Sequence, residues 1–253
     1  MYDNPSNNEN NIVYLMIVDE VINALYSVAT EQRRKTNEWF FKTSPGQYGY
    51  GDKFIGVRMP DLRKVAKSYY RRISFDQLTQ LLESDIHELR HCALIVLVYQ
   101  YPKGDRSKIY HFYLQHFDAI NNWDLVDTSA PNIVGDYLYH HQQSADTLLK
   151  YAHSESLWVR RIAIVSTFYF IRNNVFEPTL SIAKILLSDK EDLIHKATGW
   201  MLREVYKRDS ELVEQYLKQN YAQLPRTTLR YAIEKMDKQE RQAYLKGEFN
   251  AAN

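Results

Sequence analysis

The chain is poor in the residues that staple or sharply bend a fold. One cysteine, Cys92, stands among 253 residues, so no internal disulfide can form. Its neighbours in His91-Cys92-Ala93-Leu94-Ile95 are mostly apolar, which points to a buried thiol and a reduced, cytosolic compartment. Glycine (8) and proline (7) are scarce, which disfavours a turn-rich β architecture and suits helices. No apolar run approaches the length needed to span a bilayer, so no membrane association is expected. The net charge is only +1, so any affinity for a polyanion must come from how charge is distributed. Gly-x-Ser-x-Gly and phosphate-loop patterns are lacking. His140-His141 and the other histidines show no companions at metal-ligand spacing, so neither a metal nor a cofactor is expected. What remains is an ordinary soluble composition, 45% apolar and 25% charged, in a chain long enough to bury a core unaided.

Within that composition a period is visible. Ala93, Ala130, Ala163, Ala197 and Ala232 recur at intervals of 37, 33, 34 and 35 residues. Four residues before them sit Leu89, Val126, Val159, Leu193 and the polar exception Thr228. An i, i+4 pair is helical, and each segment is followed by another helical pattern, such as 176–187 or 211–219. Helix pairs at this period predict an all-α solenoid of HEAT-like repeats. A helical bundle with alanines placed by chance is the bland alternative. The expected layout is a tail over 1–11, one repeat domain over 12–246 and a tail over 247–253, in a monomer.

The register also sorts charge. Two residues before each repeat alanine stand His91, Thr128, Arg161, His195 and Arg230, and three before stand Arg90, Asp127, Arg160, Ile194 and Leu229. The pattern predicts a basic concave groove with Asp127 as its one acid. Further positive charge lies at Lys53, Arg58, Arg63, Lys64, Lys67, Arg71 and Arg72. Basic charge on a curved wall attracts nucleic-acid phosphates. Residues 43–57 hold half of the glycines, Gly46, Gly49, Gly51 and Gly56, and read as a shaped loop that presents Tyr48 and Tyr50.

Trp123 and Asp127 stand one helical turn apart in Asn121-Asn122-Trp123-Asp124-Leu125-Val126-Asp127, which places an aromatic ring and a carboxylate on one face, a pairing suited to a cation. Asn121 and Asp124 fit a helix cap and its capping-box partner, while Pro131 should kink or end that helix. Trp200 and Arg203 share a face in the same way, beside the weak helix former Gly199.

Three segments, Trp123-Asp124-Leu125-Val126-Asp127, Leu157-Trp158-Val159-Arg160-Arg161 with Ala163, and Lys196-Ala197-Thr198-Gly199-Trp200-Met201-Leu202-Arg203-Glu204, resemble the AlkD-like DNA alkylation repair family. The resemblance runs from about Phe54 to Met236. It implies a HEAT-like solenoid on duplex DNA and glycosylase action on N3- and N7-alkylated purines. By the same resemblance Trp123 and Trp200 match sugar-contacting tryptophans, Asp127 the catalytic carboxylate, and Arg161 an arginine near the backbone at the lesion. Arg58, Arg63, Arg160, Arg203, Arg226 and Arg230 are then expected on DNA. One departure is that some members carry a second tryptophan where Asn122 stands. Members without glycosylase activity only bind DNA, so a binder of bent or branched DNA remains a second reading. A peptide-binding scaffold is a third.

Overall fold

The computed structural model describes residues 6–141 and 144–248 and is all-α, with one isolated parallel bridge, Lys53 to Ile86, outside the helices. The helices are α1 (Ser6–Ser27), α2 (Glu31–Phe40), α3 (Met59–Tyr69), α4 (Phe75–Leu82), α5 (His87–Gln100), α6 (Arg106–Gln115), α7 (Trp123–Ala130), α8 (Asp136–Tyr139), α9 (Ser144–Ala152), α10 (Leu157–Arg172), α11 (Glu177–Ile185), α12 (Asp192–Tyr206), α13 (Ser210–Asn220), α14 (Arg226–Ala232) and α15 (Lys238–Lys246). Helix α1 begins inside the stretch expected as a tail. Residues 1–5 and 249–253 lie outside the described residues. Among the described residues no helix is long and apolar enough to cross a membrane.

Local chemistry sets the helix starts. Thr30, Asp105, Asp209 and Asp237 each accept a backbone N–H of the first turn that follows. Ser74 and Gln77 form a full capping box on α4. Pro60 and Pro178 sit in the first turns of α3 and α11, where a missing N–H costs nothing. Pro131 ends α7, and residues Pro131–Gly135 continue as a π-turn.

The chain divides into two compact units, 1–129 and 130–253. One repeat domain was expected over 12–246. Repeats touch only their neighbours, so an array parts readily between two of them. In the first unit α3 and α4 pack on α5; in the second, α9, α11 and α12 pack on α10, and α14 packs on α12. All five repeat alanines are fully buried, at 0% exposure, as a small residue at a helix contact should be. Gly199 takes this further. A Cβ there would lie 2.5 Å from the Thr228 carbonyl oxygen and 2.5 Å from Tyr231 Cβ, so α12 and α14 meet at a distance only glycine permits.

Candidate functional site

The first turns of α5 carry an unusual load of buried polar groups: His87, Glu88, Arg90 and His91 are each under 5% exposed. Such groups are stable only when paired, and each has a partner distant in sequence. Glu88 accepts from the backbone N–H groups of Ile55, Gly56 and Val57 at 3.1, 2.9 and 3.3 Å and from Asn37 Nδ2 at 3.3 Å. That straps the end of the 43–57 loop to α5. Gly56 has φ +92° and a Cβ there would meet the Thr30 carbonyl oxygen at 2.2 Å, so the loop's last glycine is required by both conformation and space. Arg90 donates to Asp52 Oδ1 at 2.6 Å, to Asn121 Oδ1 at 3.0 Å and to the Ser84 carbonyl at 2.8 Å.

His87 stands between two carboxylates, with Nδ1 3.2 Å from Asp52 Oδ2 and Nε2 2.8 Å from Asp124 Oδ2. Burial alone would lower its pKa, but Asp124 and then Asp52 outweigh burial and lift it to about 9. Burial likewise works against the Asp124 carboxylate, yet His87 and His91 hold it well below the usual range. The loop's role is thereby visible: it delivers Asp52 to α5 and α7.

Asp124 is therefore not the capping-box partner of Asn121. Asn122 precedes the first turn and accepts from the Trp123 N–H at 2.9 Å, while Asp124 faces inward to the histidines. Asn122 is fully buried and donates to Asp52 at 3.2 Å, so the position that can hold a tryptophan in the resembling family is here part of the polar core.

Trp123 is half-buried. Its ring stacks on Phe41 at 5.4 Å; Phe41 stacks on Phe54 at 5.1 Å, and Phe54 on His87 at 4.6 Å. The indole N–H donates to Tyr48 Oη at 3.3 Å. One face of Trp123 is thus committed to a column of rings, and Tyr48 belongs to the packing of the loop. Tyr50, at 66% exposure, points to solvent, as do Trp39 at 72% and Phe40 at 51%. Asp127 is half-buried, one turn along α7 from Trp123. Its charge is felt by Tyr113, whose hydroxyl is pushed up first by burial and then by Asp127.

In the second unit Trp200 is half-buried. Its indole N–H donates to Glu204 Oε1 at 3.2 Å, and its ring lies 5.8 Å from Phe168. Arg161 is only 5% exposed and donates to the Leu193 carbonyl at 2.6 Å, so it joins α10 to the start of α12. Trp123 and Asp127 belong to the first unit; Trp200 and Arg161 belong to the second.

The register expected to form a basic wall is largely occupied by bonds between successive repeats. His91 Nε2 lies 3.0 Å from Thr128 Oγ1, Arg161 reaches Leu193, and Thr228 Oγ1 donates to the His195 carbonyl at 3.2 Å. Arg160 is likewise taken. It binds Asp189 at 2.6 Å and the Ser154 carbonyl at 3.0 Å. Arg90 does the same two rows earlier, with Asp52 as the acid and a carbonyl six residues upstream. A guanidinium clamp is thus a repeated device of this fold, and Arg160 is already paired at a place where a DNA contact was expected. Arg203 is mostly buried and paired with Glu234. Arg226 is exposed, with one bond to the Leu245 carbonyl at 2.9 Å. Arg58 is exposed and paired with Asp61 at 2.8 Å. Arg63 and Arg230 are exposed, with no ion pair among the described residues.

The family model of the DNA alkylation repair enzymes matches residues 21–236. Among solved structures, a protein from Enterococcus faecalis described as a predicted DNA alkylation repair enzyme superposes with a TM-score of 0.66 at 17% identity, over 83% of this chain and 97% of that one. No curated protein sequence matches the chain.

Proposed function

Because this chain belongs to the DNA alkylation repair enzyme family, we propose that it is a DNA glycosylase that releases N3- and N7-alkylated purines from duplex DNA, the entry step of base excision repair. A role in the repair of alkylated DNA is common to the family. The glycosylase step is our reading of the site. An alkylated purine of this kind already carries positive charge and departs as a neutral base. No strong acid is then needed to protonate it. What limits the reaction is the oxocarbenium-like sugar that forms as the N-glycosidic bond breaks, and a group that stabilises it must be anionic or present a π-face.

The observation that carries this reading is the placement of Asp127 one helical turn beyond Trp123 on α7. Asp124 is consumed in the buried network and fixes the helix. Asp127, one turn beyond Trp123, remains half-buried. In this role Asp127 faces the sugar cation and orients water toward its anomeric carbon. Trp123 offers a ring face or edge to the sugar, contributing roughly 0.5–2 kcal/mol. A preorganised carboxylate adds a few kcal/mol more, and about 5 kcal/mol in total is roughly three to four orders of magnitude in rate. Arg63 and Arg230 would meet phosphates without first breaking a pair, and Arg58 and Arg226 would do so at small cost.

The burial of Arg161 favours the second reading, a binder of bent or branched DNA without catalysis, since the arginine expected near the lesion is held by Leu193. Single-turnover release of 7-methylguanine and 3-methyladenine from methylated duplex decides between them. Release of both, with uracil and 8-oxoguanine left in place, supports the glycosylase. Tight, salt-sensitive duplex binding without release of any base would refute it.

A further inference from the structure

The same three side chains that hold α7 to α5 are arranged as metal ligands. His87 and His91 are four residues apart on one face of α5, the spacing with which a helix presents two imidazoles to a single ion. Asp124 supplies a third donor from α7, and one ligand atom of each lies within 4.8 Å of the others. Asp124 Oδ2 is 2.8 Å from His87 Nε2 and 3.3 Å from His91 Nδ1. A tetrahedral ion with bonds of about 2.0–2.1 Å separates its ligands by roughly 3.3 Å, so the contacts to Asp124 need little adjustment and the imidazole pair, within 4.8 Å, must close by no more than about 1.5 Å.

The outer partners complete the pattern. Each ring nitrogen turned away from Asp124 has its own polar neighbour: His87 Nδ1 lies 3.2 Å from Asp52 Oδ2, and His91 Nε2 lies 3.0 Å from Thr128 Oγ1. This is the arrangement that fixes the tautomer of a ligating histidine and raises its basicity. It leaves His87 Nε2 and His91 Nδ1 to bind the ion.

We propose that His87, His91 and Asp124 form a binding site for one divalent transition ion, Zn²⁺ by preference, that ties α5 to α7 across one repeat. Two imidazoles and one carboxylate suit Zn²⁺ and do not suit Mg²⁺ or Ca²⁺, which take mainly oxygen ligands. The site is structural. Three protein ligands leave the fourth position of a tetrahedral ion to a water, and with both histidines 2% exposed that position is closed to a bulky substrate. Glu88, which follows His87 where a metallohydrolase carries its general base, is instead occupied by the backbone of Ile55, Gly56 and Val57. The inference does not depend on the glycosylase reading, and its test uses no DNA. It departs from the expectation of a metal-free chain, which found no histidines at metal-ligand spacing although His87 and His91 stand four residues apart.

The experiment takes the full chain, strips it with a chelator, and titrates Zn²⁺ in competition with a chromophoric chelator. Co²⁺ is then added to a second sample for visible absorption. The expected result is one Zn²⁺ per chain with micromolar or tighter affinity, and the visible bands of low-coordinate Co²⁺. His91→Leu removes one ligand and leaves the Asp52–His87–Asp124 chain in place, so it should lose at least about 100-fold in affinity with unchanged helix content. His91→Gln serves if leucine lowers the fold. Asp52→Asn keeps all three ligands and should weaken binding by about 10- to 100-fold through His87. A chain that takes up no Zn²⁺, or takes it up equally well in the His91 variants, overturns the proposal. In that case a proton between His87 and Asp124 does the work assigned to the ion.

Discussion

Two aspartates three residues apart on α7 should respond oppositely to the same change. Asp124→Asn keeps the size of the side chain and removes its charge. In the native molecule Oδ2 accepts from two imidazoles at 2.8 and 3.3 Å, while Oδ1 accepts from the Leu125 N–H at 2.9 Å. An amide has one acceptor, so one of these contacts becomes a clash of donors. His87, protonated up to about pH 9, then keeps only Asp52 as a counter-charge. Breaking a buried pair from one side costs about 3–5 kcal/mol, and the retained shape and the remaining acceptor place this case near 3 kcal/mol. For a chain of this size that is a fall in melting temperature of roughly 6–12 °C. Asp127→Asn, at a half-buried position, should shift the melt by roughly 2 °C or less. It should instead slow 7-methylguanine release by roughly 10- to 1,000-fold while duplex affinity is kept or slightly raised. The assay is a thermal melt of both variants with a chelator present, paired with single-turnover base release. An Asp124→Asn protein that melts within about 2 °C of the parent would show that the histidine network does not hold α7. Full activity in Asp127→Asn would remove Asp127 from the mechanism.

Gly199→Ala gains about 1 kcal/mol of helix propensity but places a Cβ 2.5 Å from backbone and side chain of α14, so net destabilisation of about 1–3 kcal/mol is expected in a denaturant titration, and a more stable variant would contradict the close approach. Cys92 is fully buried with its thiol pushed up to about 12, so a thiol reagent at pH 8 should label it only after unfolding, and fast native-state labelling would refute its placement. Alanine at Arg63 or Arg230 should each lower the slope of log affinity against log salt by about one without altering the melt, whereas Arg160→Ala should lower the melt and leave the slope alone. The reverse assignment would mean that the clamp on Asp189 is not its role.

The repeat could be read from sequence because its signal is local and periodic. Small residues at Ala93, Ala130, Ala163, Ala197 and Ala232 report a helix contact whatever else surrounds them, and all five are buried. The charge in the same register does not announce its partner, for a physical reason. An arginine at a repeat position looks alike whether it faces phosphate or an acid such as Asp189, and only the fold supplies the acid. Asp52 and Asn122 are 70 positions apart, and nothing in either neighbourhood announces the other. His87 and Asp124 are separated by 37 residues, the first interval of the alanine repeat, and that coincidence was the available clue. The spacing of His87 and His91, four residues apart, was also present in the sequence, whereas Asp124 meets them only in the fold.

The strap from Glu88 to residues 55–57 bears on how the molecule assembles and how it opens. These three amides belong to a glycine-bearing connection, yet their protons are held by a carboxylate that is itself 3% exposed. They can exchange with solvent only when α5 lets go, so in hydrogen-exchange experiments this connection should keep time with a helix interior and not with the loops around it. The bonds close a span of more than 30 residues, which makes their formation late, after α5 is in place to offer the carboxylate. A protease probing the native protein should therefore pass over residues 55–57, and cutting there should mark the moment at which the first unit begins to come apart.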